Sequence, residues 1–158
     1  MIPGRATAEG TGRRAAGRPG YRRLGLAELA VSLVGFGAYR TGRQRPEHQA
    51  ALVAALEAGV NLIDTSSNYM VGDSERLIGE VLASSQVPRD EIVVVSKIGY
   101  VQGPNLDLAQ QREAAGRPFP EMVKYMDGCW HCISPEFLDD QLGRSLERLG
   151  LEAIDVLL

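Results

Sequence analysis

The sequence is poor in cysteine, lysine, histidine and tryptophan. Cys129 and Cys132 are its two cysteines, too few for a disulfide scaffold, so a reducing cytoplasm is the expected setting. Lys97 and Lys124 are the only lysines against fifteen arginines. Nine of those arginines fall in residues 1–45, opposed by Glu9 and Glu28. They read as a chain-wide preference for arginine rather than as a nucleic-acid-binding arm. No apolar run approaches the ~18 residues that span a bilayer, and no apolar signal segment opens the chain. Neither a membrane partner nor a nucleic-acid partner is expected.

What is present suits one globular domain. The chain has 158 residues, 44% of them hydrophobic, and a net charge of -3, enough for a packed core. Residues 1–20 mix Gly, Ala, Arg and Thr without periodicity and are expected to form a disordered tail, with the domain occupying 21–158. Tyr21–Leu24 and Ala30–Leu33 flank a short polar turn, as in a β-hairpin. Val34-Gly35-Phe36-Gly37 reads as a strand rich in glycine, where something approaches the backbone closely.

From there strands and helices alternate. Pro46–Ala58 is a helix with Leu52, Val53 and Leu56 as its apolar stripe and Gly59 as its stop. Val60–Ile63 is a strand. Asp73 or Ser74 caps a helix whose buried face carries Leu77, Ile78, Val81 and Leu82. Ile92–Val95 is an unbroken β-branched run, the pattern of a strand covered on both faces. Ser134-Pro135-Glu136 opens a helix with Leu138, Leu142, Leu146 and Leu149 on one side, and Ile154–Leu158 resumes as strand. Such alternation specifies parallel βαβ units, compatible with either an eight-unit barrel or an open doubly wound sheet. A complete barrel needs ~250 residues, so this chain would hold about half of one. The connection from Tyr100 to Ile133 is long, with a helical turn or two expected over Leu106–Ala115. It is expected to lie on the substrate side, where active sites of parallel folds sit.

The chemistry lies at strand ends. Asp64 closes one apolar run and Lys97 the next, and neighbouring parallel strands lie ~4.8 Å apart, so the two can meet as an ion pair. Tyr69, five residues beyond Asp64, can join them. An ammonium beside a phenol favours the phenolate, which suits proton exchange with a carbonyl oxygen. The alternative is that Asp64 caps a turn, Lys97 points to solvent and Tyr69 is an ordinary loop aromatic.

Several segments together resemble the aldo-keto reductases. They are Phe36-Gly37-Ala38-Tyr39; Gly59-Val60-Asn61-Leu62-Ile63-Asp64-Thr65-Ser66-Ser67-Asn68-Tyr69 with Gly72-Asp73-Ser74-Glu75; Ser96-Lys97; and Ser145–Gly150 with Ile154-Asp155. The resemblance implies a (β/α)8 TIM barrel, here about its first four βα units behind an N-terminal β-hairpin. It also implies NADPH as cofactor, with NADH possible, and small carbonyl or sugar substrates. Catalytic roles are implied for Asp64, Tyr69 and Lys97, and cofactor contacts for Gly37, Ala38, Tyr39 and Asp64. The family's fourth catalytic residue, a histidine, would fall at position 160, beyond Leu158. The chain is therefore expected to be a fragment, inactive alone; a regulatory, cofactor-sensing subunit or an inert product is the alternative. Ala38 stands where the family often has threonine, which removes a hydroxyl contact to the cofactor. His131, inside the long connection, is not expected to replace the absent histidine, and His48 is expected at the surface. Cys129-Trp130-His131-Cys132 lacks a fourth zinc ligand and a helix N-terminus for a redox thiol, so no metal is expected and the thiols are expected to be free.

Overall fold

The computed structural model describes residues 1–158 and runs through five helices and nine strands. Helix α1 (Ala8–Ala15) precedes an antiparallel hairpin of β1 (Tyr21–Leu24) and β2 (Leu29–Ser32). The βα alternation follows as β3 (Phe36–Gly37), α2 (Pro46–Glu57), β4 (Leu62–Asp64), α3 (Asp73–Ser84) and β5 (Val93–Ser96). A second small sheet and a helix are inserted next: β6 (Tyr100–Val101), α4 (Pro104–Ala114), β7 (Val123–Met126) and β8 (Cys129–His131). Helix α5 (Pro135–Leu149) and β9 (Val156–Leu157) complete the series.

Strands β3, β4, β5 and β9 form one parallel sheet in that order, which makes the fold a partial TIM barrel behind an N-terminal hairpin. Alternation along β5 shows how the two sides are filled. Val94, with neighbouring Ile92, packs outward against Leu52, Leu56, Leu77, Ile78, Val81 and Leu149 of the helices. Val93 and Val95 face the other way, against Leu29 and Val31 of the hairpin. Every residue of β5 is buried, as its unbroken apolar run requires. At the strand starts Asp155 ties the layers together: it accepts from Val94 N at 2.7 Å and Ala6 N at 2.6 Å, and pairs with Arg89 at 2.8 Å.

Four expectations are corrected. The tail is ordered: Thr7 caps α1 by accepting from Gly10 N, and Thr11 is buried with its hydroxyl on the Thr7 carbonyl and the Ala30 N–H. Gly10 is packed against Asp90, so the glycines that suggested disorder permit contact instead. Neither Asp73 nor Ser74 caps α3; Gly72 takes that position at φ +81°, and the Ser74 hydroxyl donates to the Ala38 carbonyl. On α5 the fully buried stripe is Phe137, Gln141, Ser145 and Leu149, with Leu138, Leu142 and Leu146 only half-buried beside it. The long connection holds more than the helical turn or two expected over Leu106–Ala115: α4 runs from Pro104 to Ala114, and the antiparallel sheet β6-β8-β7 forms around Val101, Phe119 and Phe137.

Candidate functional site

The register of the parallel sheet brings chemistry to one end. Gly37 stands opposite Asp64, Asp64 opposite Val95, and Lys97 follows directly on β5. Lys97 Nζ donates to Asp64 Oδ1 at 2.6 Å and to the Thr65 carbonyl at 2.8 Å. Its third contact is the Tyr69 hydroxyl at 3.3 Å. One ammonium thus joins the three residues singled out by the sequence. The pair is partly open, with the lysine side chain 30% and the aspartate side chain 42% exposed, so the group is accessible from the strand-end side.

Tyr69 is placed by the backbone around it. The Ser67 N–H and the Ser66 hydroxyl both donate to the Lys97 carbonyl, which sews the β4 exit to the β5 exit. A tight turn follows, Tyr69–Gly72, in which Met70 and Val71 lie at φ +49° and +59°. For a β-branched residue such as Val71 that conformation costs energy, and it is held here between Tyr69 and α3. The Tyr39 ring meets Tyr69 edge-on at 5.0 Å, completing an aromatic corner beside the ammonium.

The cofactor candidates divide. Gly37 is exposed and a Cβ there would meet nothing within 4 Å, so a flat group can lie on its backbone next to Asp64. Tyr39 is 63% exposed at the same edge. Ala38, by contrast, is fully buried among the helix-side apolar residues. Its N–H donates to the Asp64 carbonyl, and its own carbonyl is taken by Ser74 and Thr41. Ala38 has no group free for a ligand, because its place in the core commits it inward.

The histidines and cysteines make no hydrogen bond to the Lys97 ammonium. His131 sits on β8 across from Tyr100, and none of the Lys97 ammonium's contacts involves it. His48 Nδ1 meets the Gly42 backbone, and His48 is half-buried among exposed neighbours. Cys129 and Cys132 are unpaired and buried, and no cluster of potential ligands could hold a metal ion. Cys129 faces the Tyr125 hydroxyl at 3.3 Å, and Cys132 the Ser134 hydroxyl at 3.2 Å.

The sequence offered Ser74 only as a cap of α3 and gave no contacts to Glu75, Ser96 and Arg148, yet all four lie directly beneath the site. Ser74 bonds Thr65 at 2.8 Å and Ala38, while Glu75 accepts from Ser96 at 2.7 Å and from Arg148 Nε at 2.6 Å. The available signal was a Ser-Glu pair in the first turn of a helix whose apolar face begins two residues later.

A profile of the Aldo/keto reductase family matches residues 33–158. The NADH-specific methylglyoxal reductase of Escherichia coli is 30% identical over 84% of this chain and 39% of its own length. A D-threo-aldose 1-dehydrogenase of a Pseudomonas species is 32% identical over 83% of the chain and 40% of its own length. Among solved structures, an aldo-keto reductase of Bacillus halodurans in its holo form superposes with a TM-score of 0.66 at 25% identity, covering 87% of this chain and 38% of that one. The chain thus spans about two fifths of the length of the curated relatives it matches.

Proposed function

The chain belongs to the aldo/keto reductase family, and from that premise we propose that the protein of this chain, at the length of its relatives, interconverts carbonyls and alcohols by hydride transfer. A nicotinamide dinucleotide, NADPH or NADH, would supply or take the hydride when bound. Gly37, Tyr39 and Asp64 are the residues of this chain that would hold its nicotinamide end. In reduction, the Tyr69 hydroxyl gives its proton to the carbonyl oxygen. The Lys97 ammonium stabilises the phenolate that is left, and Asp64 together with the Thr65 carbonyl keeps that ammonium in place. In the alcohol or hemiacetal direction the Tyr69 phenolate takes the proton instead. Residues 21–158 would then be the N-terminal part of the barrel domain, with α1 packed onto it.

The observation that carries this reading is the single ammonium bonded to Asp64 and to the Tyr69 hydroxyl. Small carbonyl compounds and sugars are the proposed substrates, in keeping with a relative named for methylglyoxal and another for an aldose. A cytoplasmic setting suits two unpaired thiols, and no helix is long and apolar enough to cross a membrane. The test is Tyr69→Phe in the protein expressed at its full natural length. Steady-state NADPH oxidation with a carbonyl substrate should fall by about 10²–10⁴-fold while NADPH fluorescence still reports binding. Full turnover in that variant would defeat the assignment.

A further inference from the structure

Ile98 and Val101 both pack into the cluster around Phe119 and Phe137. Lys97 and Tyr100 stand apart from that cluster, and Lys97 reaches Tyr69. The inserted sheet keeps the same division. One face carries Val101, Trp130 and Lys124, with the Lys124 ammonium 4.4 Å from the Trp130 ring centroid. The other carries Tyr100, Tyr125 and His131. Tyr100 pairs with His131 across the strands, ring to ring at 5.6 Å, and lies 6.5 Å from Tyr125 at an interplanar angle of 55°. Both tyrosines are about half exposed, at 50% and 51%.

This face follows the reacting end of the sheet along the chain, and the two are tied by contacts of the tyrosine turn with the insert. Tyr100 is three residues past Lys97, and the His131 ring lies over Gly99, where a Cβ would come within 2.8 Å of Nε2. The tyrosine turn touches the same insert: Asn68 Nδ2 donates to Gln102 Oε1 at 3.1 Å, and Val71 lies against Gly103. We propose that Tyr100, Tyr125 and His131 form the substrate-side wall of the site and that it takes a neutral cyclic sugar. The proposal rests on the oxidoreductase reading above. Two tilted phenol rings offer flat surfaces to the C–H faces of a sugar, while the Tyr100 hydroxyl and the imidazole exchange hydrogen bonds with its hydroxyls. Charge narrows the class. The nearby Lys124 is on the opposite face and paired with Glu113, and the Lys97 ammonium is already held by Asp64, so neither is free to receive an anionic substrate. The Tyr125 phenol stays protonated well above its ordinary range, through its bond to the Cys129 thiol, partial desolvation and the Tyr100 hydroxyl.

The test uses the full-length protein and compares L-galactose oxidation with methylglyoxal reduction in wild type, Tyr100→Ala and Tyr125→Ala. The ratio of kcat/KM for the sugar to that for methylglyoxal should fall about tenfold in each variant. A parallel arm records saturation-transfer NMR between L-galactose and the protein, which should weaken in both variants. Turnover with an unchanged ratio, or equal saturation transfer in variants and wild type, overturns the wall. A wild-type protein that turns over neither compound, yet transfers saturation to L-galactose in a Tyr100-dependent way, overturns the oxidoreductase reading and upholds the wall.

Discussion

The carboxylate of Glu75 accepts a hydrogen bond from the Ser96 hydroxyl at 2.7 Å, and Ser96 immediately precedes Lys97. Glu75 is fully buried and its second oxygen holds Arg148 of α5. Its neighbour Ser74 holds Ala38 and Thr65. Two adjacent residues in the first turn of α3 therefore pin the exits of β3, β4 and β5, the three strand ends that carry the site.

Removing one partner of such a pair strands the other. Glu75→Ala leaves the Arg148 guanidinium, its side chain only 13% exposed, without its carboxylate. A loss of about 3–5 kcal/mol is expected in urea unfolding of the full-length protein. Glu75→Gln keeps the bond to Ser96 and should lose less. Equal losses in the two variants would show that the Ser96 bond contributes nothing.

Lys97→Met should separate charge from packing at the site. It removes the ammonium that meets Asp64, Thr65 and Tyr69, while the side chain keeps a similar length. Turnover by the full-length protein is expected to drop about 10²–10⁴-fold, with NADPH binding retained. A drop in NADPH affinity of the same size would place Lys97 in the cofactor site instead.

How far the sequence could be read depends on which interactions were local. The β-branched run of β5, the apolar stripe of α3 and the stop at Gly59 follow from periodicity and backbone preference, and each appears in the structure. The meeting of Asp64 with Lys97 was legible because parallel strands of similar length align their ends. The role of Glu75 was not legible, since its partners lie 21 and 73 positions away and a helix's first turn ordinarily carries exposed acids. The order in residues 1–20 was hidden for the same reason. Thr7 and Thr11 look like any polar residues until Asp90 and Ala30 come beside them.

Asp73 should make acid stability of the fold depend on Arg43. Desolvation works to raise the Asp73 carboxyl, but the Arg43 backbone N–H and guanidinium outweigh it and hold the group below its ordinary 3.8. A depressed carboxylate contributes stability above its unfolded value and loses it as pH falls through the folded one. The difference in Tm between wild type and Asp73→Asn should therefore be constant from neutral pH to about 4 and shrink below that. A difference that grew on acidification would contradict the assigned sign.

Helix α3 crosses α5 at Gly79, where a Cβ would sit 2.4 Å from the Leu149 carbonyl oxygen. Alanine is the better helix former by about 1 kcal/mol, which would favour Gly79→Ala on propensity alone. Backbone atoms cannot yield as a flexible side chain can, so the clash should prevail. A net loss of about 1–3 kcal/mol is expected by chemical denaturation. A gain in stability would mean that the two helices separate freely.

The 158-residue chain expressed alone should self-associate. Its four-stranded sheet leaves β3 and β9 as edges, with unpaired backbone groups available to another chain. Apolar surface lies beside those edges, Leu33 and Val34 at 61% and 71% exposure near β3 and Leu157 and Leu158 at 42% and 66% in and after β9. A complete domain has a net stability of only ~5–15 kcal/mol, and this chain spans about two fifths of the length of its relatives, so the margin here is expected to be small. Light scattering should therefore report species larger than a monomer at micromolar concentration, with weak near-ultraviolet dichroism from Trp130 and the tyrosines. NADPH fluorescence should show little or no binding. A cooperative monomer that bound NADPH at micromolar affinity would show that four strands, the hairpin and α1 are sufficient for both folding and cofactor capture.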